Sequence, residues 1–555
     1  MKRNVVFCIG LLPVFAFCSH AAGAENAAPR ETAYPVMGIL ETDPELQGKD
    51  FKIEGREAFE PIQERKLIYT GDGPALQTVR DAKIKYGFNV PVIVYMGGFT
   101  TNHGGATEIE KKYRGAVAMI DVASLAEAID ATATEFSIRV PADGEFAVKA
   151  STADISDPND NKKYCFWIRV DKELMKVVEA GAKTGRLKVQ RGFESEAAPH
   201  EAGATVLTPV NLGNREQLDA VRHSNSWPGG PDYLRYGLDP ASEETARYKA
   251  DVIIALMKTG YDGAWLDTFQ PYIYNICDAL GRRVTAEWDF AHGRRYTPET
   301  YLAALQGMIR AVRAKIKEAT GRDPYLAANS VSGSYERGGK QMFAAPDRLG
   351  EPGRPGLLDA YCFEDSYIGP RGAVRTKGRK LSTGFEAVNA SRWLKNVTNQ
   401  RDAARSGLRA LCMIGPAGYV AAYINPSLSN YDRLVRFAWC SFLLTVTKER
   451  TTVFGMPLLI TTVNGKTGFL PLQEIFYYSI GDPVDDGDVE SLKAPGTEAC
   501  VRKFTNGLVV VNPPGAKKAA TVAIPDGYAD PKTKAGVKQV KLESGDGMLL
   551  LKGGK

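Results

Sequence analysis

The chain has 555 residues, of which 44% are apolar and 24% charged, and its 70 basic and 65 acidic side chains give a net charge of +5. This length predicts two or three domains, or one large barrel with an accessory domain. The composition excludes disordered, collagen-like and coiled-coil classes. Because charges of both signs are interspersed, without a clustered cationic face, we expect no nucleic acid partner.

The N-terminus has the pattern of a secretory signal peptide. Lys2 and Arg3 precede an apolar stretch over residues 5–17, and Ala22-Gly-Ala24 is a cleavage pattern. We expect cleavage after Ala24. No later apolar stretch reaches the ~18 residues of a spanning helix. The sequence therefore predicts a secreted or periplasmic protein with no membrane span.

Neither a metal nor a cofactor is predicted. The six cysteines after the signal show no C-x-x-C spacing, and their disulfide connectivity stays open. Cys362, Cys412 and Cys440 lie in apolar runs, which predicts buried thiols. The chain has no P-loop, no G-x-G-x-x-G and no G-x-S-x-G element.

Strand and helix patterns alternate over much of the chain. An apolar strand over 91–96 runs into Gly97-Gly98, and from residue 233 strands are predicted at 233–239, 261–267, 325–329 and 357–364. Amphipathic helices are predicted from Ser242 to Gly260 and from Pro298 to about residue 319. Alternation of this kind predicts a parallel sheet with crossover helices, and its length favours a (β/α)8 TIM barrel of the α/β class.

Two other regions have strand patterns without helices. Residues 130–210 alternate polar and apolar side chains, which predicts an inserted β-rich subdomain, and His200 within it is interpreted as structural. A Thr505-Asn-Gly507 turn between two apolar runs predicts a hairpin in a C-terminal β-sandwich. The predicted divisions are a signal peptide at 1–24, a lead-in with the first barrel units at 25–129, the inserted subdomain at 130–210, the rest of the barrel at 211–465 and the β-sandwich at 466–555.

Three carboxylates fall at predicted strand ends: Asp239, Asp267 and Glu364. In an α/β barrel such positions carry the catalytic groups. Trp265 and Asp267 share one strand face, which suits a nucleophile beside a sugar ring. Cleavage of a glycosidic bond needs a second carboxyl group to protonate the leaving oxygen, and Glu364 is our candidate, with Asp365 as the weaker alternative. Each acid has a structural alternative, namely a helix cap or a partner of a basic residue.

The run from Gly260 to Asp267, followed by Asp359-Ala-Tyr-Cys-Phe-Glu364, resembles secreted barrel glycosidases typified by glycoside hydrolase family 114, the endo-α-1,4-polygalactosaminidases. The resemblance covers about residues 230–370. It implies a nucleophilic role for Asp267 and an acid/base role for Glu364 in a retaining mechanism. The chain departs from the family through a longer span between the two acids, the inserted β-rich part and the added C-terminal domain, and these differences leave the substrate open.

Further residues are predicted to contact a polysaccharide or oligosaccharide substrate. Aromatic rings stack on sugar faces, while imidazoles, amides and carboxylates bind hydroxyl groups. The candidates are Tyr95, His103, His223, Asn225, Trp227, Asp239, Trp265, Asn329, Tyr367 and Tyr419. The main hypothesis is a secreted glycoside hydrolase. The alternative is a non-catalytic carbohydrate-binding or cell-surface protein on a barrel scaffold, and a lyase or deacetylase is a third, weaker hypothesis.

Overall fold

The structure of the protein is a computed structural model. It describes residues 34, 36–41, 67–70, 91–97, 100–101, 103–139, 167–181, 185–209, 236–267, 269, 276–277, 283–284, 288–289, 292–329, 357–363, 366–371, 374–376, 379–381, 384–406, 409–413, 431–463, 466–469, 473–485 and 487–553. The predicted signal peptide lies outside these residues.

A curled sheet of eight parallel strands forms the centre of the molecule. Its strands, in sheet order, are β1 (Val36–Glu41), β2 (Leu67–Thr70), β3 (Val92–Gly97), β12 (Gly263–Asp267), β17 (Tyr325–Asn329), β18 (Ala360–Phe363), β23 (Ala410–Met413) and β24 (Val453–Val463). A ninth strand, β25 (Lys466–Phe469), pairs antiparallel with the far end of β24.

The eighth strand pairs with the first, so the sheet closes on itself. Val36 of β1 is the partner of Phe454 of β24, in parallel register. The offsets of the successive strand pairings add up to a shift of eight residues in one circuit. Eight strands with a shear of eight is the geometry of a TIM-type barrel. The prediction of a parallel sheet is therefore confirmed for the eight barrel strands.

Helices lie in several of the connections between the barrel strands. The described helices are α1 (His103–Lys112), α2 (Glu243–Thr259), α3 (Pro298–Thr320), α4 (Ala390–Arg405) and α5 (Tyr431–Leu443). Helix α3 begins at a capping box between Thr297 and Thr300, with Pro298 in its first turn. Helix α2 ends at Gly260, whose φ of 109° suits glycine. Both helices agree with the sequence pattern.

Gly263, the first residue of β12, lies in close contact with the neighbouring strand. A Cβ atom at this position would lie 1.8 Å from the carbonyl oxygen of Tyr325 on the neighbouring strand. A side chain there would push β12 and β17 apart, so glycine permits the close approach of the two strands.

A second, antiparallel sheet forms a module inserted after β3. Its strands are β5 (Met119–Leu125), β6 (Glu135–Arg139), β7 (Trp167–Val170), β8 (Glu173–Ala180), β9 (Arg186–Gln190) and β10 (Thr205–Pro209). The sheet order is β10-β7-β8-β9-β6-β5, and β10 also pairs with β5, which closes this sheet too. Its interior holds an apolar cluster that includes Phe136, Ile168 and Leu187. The module includes β5, which lies before residue 130.

Short ribbons lie in the connections. They are β4 (Thr100–Thr101) with β11 (Tyr236–Gly237), β13 (Ile276–Cys277) with β14 (Arg283–Val284), β19 (Ile368–Arg371) with β22 (Gly384–Ala387), and β20 (Val374–Thr376) with β21 (Arg379–Leu381). A further hairpin of β15 (Trp288–Asp289) and β16 (Arg294–Arg295) extends the module sheet, because Trp288 pairs with Met119 of β5.

The predicted barrel strand ending at Asp239 is wrong. Within the described residues of this segment only Tyr236–Gly237 forms a strand, and it pairs antiparallel with β4 outside the barrel sheet. The apolar pattern of 233–239 is satisfied instead by local burial, since Leu238 and Asp239 are both buried between the module and α2. An alternating pattern indicates a strand but does not say which sheet the strand joins.

The C-terminal residues form two antiparallel sheets over one apolar cluster. The larger sheet has the order β26 (Cys500–Lys503), β27 (Gly507–Asn512), β31 (Asp546–Lys552), β29 (Tyr528–Ala529), and the smaller pairs β28 (Ala520–Ala523) with β30 (Gln539–Leu542). Val510, Val522 and Val540 are among the shared cluster. The hairpin predicted at Thr505-Asn-Gly507 is confirmed. Single turns of 3-10 helix at Glu474–Tyr477 and Glu490–Leu492 precede the sheets.

The other face of the larger C-terminal sheet packs on helix α5. Val509, Val511 and Leu549 belong to the same apolar cluster as Phe437 and Cys440 of that helix. Arg502, which is 1% exposed, donates to the carbonyl oxygens of Leu443 (2.9 Å) and Val446 (2.8 Å). The guanidinium therefore caps the end of α5 from the C-terminal sheet.

Candidate functional site

The carboxyl ends of the barrel strands meet at one edge of the barrel, where catalytic groups lie in this fold. On β12, Trp265 points into the barrel, because it belongs to the interior cluster with Ile93, Ala327 and Leu411. Ala264 and Leu266 point outward into the cluster shared with the helices. Asp267 follows Trp265 by two residues and is the last residue of β12, so it faces the mouth of the barrel. It is half-buried.

Strand β18 has the same alternation two strands away. Ala360 and Cys362 belong to the interior cluster, whereas Tyr361 and Phe363 pack outward. Cys362 is the partner of Asn329 on β17, the strand that lies between β18 and β12. In barrels with this shear, alternate strands supply the side chains of one interior layer. With the shift of one residue per strand, Trp265 and Cys362 belong to one layer, and Asp267 stands above it.

Several predicted site residues cannot be placed. Glu364, its alternative Asp365, His223, Asn225, Trp227 and Tyr419 lie outside the described residues. Tyr95, His103 and Asn329 lie in described backbone, in β3, at the first position of α1 and at the end of β17, but their side chains are outside the described part. Tyr95 is the register partner of Trp265.

Two predicted sugar-stacking rings lie in the interior. Trp265 is 1% exposed and packs within the barrel. Tyr367 has no exposed surface, stacks on Phe454 at a centroid distance of 6.4 Å, and donates its hydroxyl to Gln400 at 2.6 Å. In this arrangement neither ring presents a face to a ligand, and both contribute to packing.

Asp239 is a buried acid at the joint between the module and the barrel. It is 3% exposed, and its Oδ1 accepts hydrogen bonds from the Tyr296 hydroxyl (2.6 Å) and the Ala241 amide (3.0 Å). Burial raises the pKa of Asp239 to about 6; the charge of Asp289 adds to this, while the two hydrogen bonds and Arg169 oppose it.

The structure brings together one pair that the sequence did not indicate. His292 and Asp289 lie in the β15–β16 hairpin, with Nδ1 of His292 2.7 Å from Oδ2 of Asp289. The Asp289 side chain is 2% exposed and the His292 side chain 61% exposed. The hairpin lies between β12 and α3, in the connection that leaves the barrel directly after Asp267. An Asp three residues before a His is a common spacing, and no sequence signal distinguishes this pair.

His200 is fully engaged within the module. Its ring nitrogens lie 2.7 Å from Oδ2 of Asp171 and 2.9 Å from Oε2 of Glu173. Glu173 also binds Arg191 and the backbone amides of Gly192 and Ala198. This network joins the β7–β8 turn to the segment that follows β9, and these contacts support the interpretation of His200 as structural.

The four cysteines whose side chains are described, Cys362, Cys412, Cys440 and Cys500, are buried thiols, so the prediction for the first three is confirmed. Burial raises the pKa of the Cys500 thiol to about 12. Within the described ranges, no three His, Cys, Asp or Glu side chains group as metal ligands. No helix in those ranges is long and apolar enough to cross a membrane.

No protein-family profile and no curated protein matches the chain. Among solved structures, the glycoside hydrolase domain of PelA from Pseudomonas aeruginosa is similar with a TM-score of 0.31 and 9% identity, covering 78% of this chain and 95% of that one. Trehalose-6-phosphate hydrolase from Bacillus licheniformis gives 0.41 and 10%, covering 93% and 99%. The Nostoc punctiforme debranching enzyme gives 0.36 and 9%, covering 95% and 100%. These three TM-scores are below 0.5, so the similarities carry no argument about activity or site residues.

Proposed function

We propose that the protein is a secreted glycoside hydrolase that cleaves a polysaccharide with two carboxyl groups at the barrel mouth. The observation that carries the proposal is the place of Asp267, an inward-facing, half-buried carboxylate that ends the fourth parallel strand of a closed barrel. A carboxylate at this edge, above an apolar interior, is positioned to act on a ligand in the mouth. We assign Asp267 as the nucleophile.

We propose Glu364 as the acid/base. Glu364 follows β18 directly in the sequence, two residues after the inward-facing Cys362. The described register shifts by one residue per strand, which brings Trp265 and Cys362 into one layer. We propose that Glu364, two positions after Cys362, acts together with Asp267, two positions after Trp265.

The spacing of alternate strands suits the reaction. Adjacent strands lie about 4.8 Å apart, so alternate strands are separated by roughly 9–10 Å at the backbone. Side chains that lean into the mouth shorten this gap. A carboxyl separation of about 5–5.5 Å gives retention through a covalent intermediate, whereas about 6.5–9.5 Å gives inversion. Retention is the outcome we propose.

The proposal extends to the parts that surround the site. We propose that the barrel connections outside the described residues complete a (β/α)8 unit, that the two C-terminal sheets act as a β-sandwich domain, and that the N-terminal signal directs secretion. The domain divisions are proposed at residues 24, 129, 210 and 465, except that the inserted module begins earlier than residue 130, with β5 (Met119–Leu125).

A reducing-end assay over neutral, amino-sugar, uronic-acid and sulfated polysaccharides tests the activity. We expect product with the wild type and a loss of at least about 10³-fold in kcat for Asp267→Asn and Glu364→Gln. Glu318→Gln, an exposed acid on α3, is the matched control and should keep full activity.

Two results would contradict the assignment. Full activity in both amide variants would show that other groups perform the chemistry. Binding of a polysaccharide without any product would instead support the non-catalytic carbohydrate-binding alternative. Circular dichroism on each variant separates a lost catalytic group from a lost fold.

A further inference from the structure

The β15–β16 hairpin carries a charged face that the reaction itself does not use. Asp289 and Arg294 are direct cross-strand partners, so their side chains lie on the same side of the hairpin. His292 contacts Asp289 from the turn, where Gly293 adopts a φ of 61°. Asp289, His292 and Arg294 therefore form one group, which we call the hairpin triad.

The hairpin triad exposes the His292 imidazole and the Arg294 guanidinium to solvent, while the Asp289 carboxylate is buried beneath the imidazole. The Asp289 carboxylate accepts from the backbone amide of His292 (3.2 Å) and contacts its Nδ1 (2.7 Å). Since a carboxylate only accepts hydrogen bonds, this contact places the proton on Nδ1 and leaves Nε2 as a hydrogen-bond acceptor for a ligand. The imidazole is exposed but its orientation is set by a buried partner.

Arg294 supplies a guanidinium that is free for a ligand. It is exposed and forms no ion pair with any residue in the described ranges. Its neighbour Arg295 is different, because Arg295 is bound to Asp121 of the module at 2.7 Å. A guanidinium is a planar fork that matches a carboxylate.

The hairpin lies at the same edge of the barrel as Asp267. It belongs to the connection between the carboxyl end of β12 and the start of α3, and β15 pairs with β5 of the module. The module itself leaves the barrel after β3, whose Gly97 is the register partner of Asp267. The hairpin therefore joins the connections that follow two adjacent barrel strands, one of which ends at Asp267.

We propose that the hairpin triad is a binding subsite for an acidic sugar, in which the Arg294 guanidinium donates to the carboxylate of a hexuronic acid and Nε2 of His292 accepts from one of its hydroxyl groups. Asp289 is a positioning residue that orients the imidazole. The inference rests on the proposed function, since it names the class of sugar that the polysaccharide substrate carries.

Imidazole NMR of the full chain with selectively labelled histidine tests this subsite directly. The chain has only 5 histidines, and His292→Gln assigns the relevant signal by its loss. At constant ionic strength we expect sodium glucuronate at about 20 mM to shift the His292 signal, because a sugar with a Kd of ~1–5 mM would then be largely bound. Glucose and sodium acetate at the same concentration should leave the signal in place.

Substitutions of Arg294 and Asp289 test the contribution of each residue to glucuronate binding. Arg294→Gln should weaken glucuronate binding at least about fivefold, or ~1 kcal/mol. Lys315→Gln, which removes an exposed cation on α3, is the matched control and should change nothing. Asp289→Ala should abolish the specific shift, whereas Asp289→Asn, which keeps an acceptor oxygen for Nδ1, should restore it.

The outcomes are decisive in both directions. An equal shift with glucose, an equal shift with acetate, or no shift at all would overturn the acidic-sugar subsite. Because the readout needs no turnover, it is unaffected by the Asp267→Asn variant. If glucuronate caused no specific shift while the protein hydrolysed a polysaccharide, only the acidic-sugar subsite would be wrong. If glucuronate caused the shift while the protein hydrolysed none of the polysaccharides, only the catalytic assignment would be wrong.

Discussion

Arg191 and Glu173 form a two-bond ion pair inside the inserted module, with Nε to Oε1 and Nη2 to Oε2 both at 2.8 Å. The Glu173 side chain has no exposed surface and that of Arg191 is 6% exposed. The same carboxylate accepts from the amides of Gly192 and Ala198 and contacts His200. One buried acid thus fixes the start of β8 to the segment that follows β9.

Replacing this acid should destabilise the module. Glu173→Gln leaves a buried guanidinium without its charge partner, which costs about 3–5 kcal/mol. Chemical denaturation followed by the fluorescence of Trp167, which is buried in β7, measures the loss. Glu135→Gln, in an exposed pair with Arg186, should cost less than about 1 kcal/mol. Equal losses for the two variants would contradict the role of Glu173.

The same network predicts an acid-sensitive module. Burial alone would raise the pKa of Glu173, but the hydrogen bonds from Arg191, two backbone amides and His200 outweigh it and lower the pKa to about 2. A depressed carboxyl pKa gives stability that is complete above the unfolded value of about 4.3 and is lost as the pH falls towards 2. We expect wild-type stability to decrease over this window and the decrease to be smaller in Glu173→Gln.

Asp239 should have the opposite pH dependence. Its pKa is raised to about 6 by burial, so its contribution to stability is complete below about pH 4 and is lost as the pH rises through 6. Asp239→Asn keeps an Oδ1 acceptor for Tyr296 and Ala241 but removes the buried charge. At pH 8 the variant should be more stable than the wild type by roughly 3 kcal/mol, and at pH 4 the two should be similar.

Thermal melts from pH 4 to 8 measure this difference. Asp526→Asn changes an exposed acid in the C-terminal part and should show no such divergence. If Asp239→Asn were less stable than the wild type at pH 8, the buried charge would stabilise the fold there, and the prediction would be wrong.

Gly547 is expected to tolerate no side chain. A Cβ atom at this position of β31 would lie 2.7 Å from Cβ of Cys440 on α5. Gly547→Ala should therefore cost about 1–3 kcal/mol through overpacking. Gly307→Ala in α3, where no atom lies within 4 Å, should instead stabilise by about 0.5–1 kcal/mol. Urea denaturation of both variants distinguishes a packing effect from a general effect of added methyl groups.

Arg502 is expected to couple the C-terminal sheet to the barrel. Arg502→Met would leave the buried carbonyls of Leu443 and Val446 without their donor, at a cost of about 2–4 kcal/mol. Lys503→Met changes the next, exposed residue of β26 and should be nearly neutral. Calorimetry should show a lower Tm for Arg502→Met alone; matching Tm values would indicate that water or neighbouring groups satisfy the carbonyls.

Local sequence patterns predicted the strands and helices whose periodicity is long or whose boundaries carry glycine or proline. Helix α3 and strand β12 are confirmed, including the shared face of Trp265 and Asp267. The prediction of a barrel strand ending at Asp239 was wrong because the sequence pattern does not say which sheet a strand joins. Tertiary pairing decides this, and here the strand pairs with β4. The start of the module at β5 was missed for the same reason.

For the site, the alternation of side chains along a strand predicted which way Asp267 faces, but not which residues of other strands lie at the same level. Period-two alternation is enough to turn Asp267 inward, but it does not set the level of one strand against another. That level comes from the barrel shear, which is a property of the closed sheet and not of any segment. The Asp289–His292 pair is likewise invisible to sequence, since a turn between two short strands creates it.

The seam between Val36 and Phe454 joins residues that are far apart in the sequence. The ring therefore cannot be completed until β24 has emerged from the ribosome, and until then one edge of β1 has no partner strand. Such remote pairing slows folding and lengthens the time during which a nascent chain must be kept from self-association. A deletion of only a few residues through β1 would reopen the same seam in the finished protein.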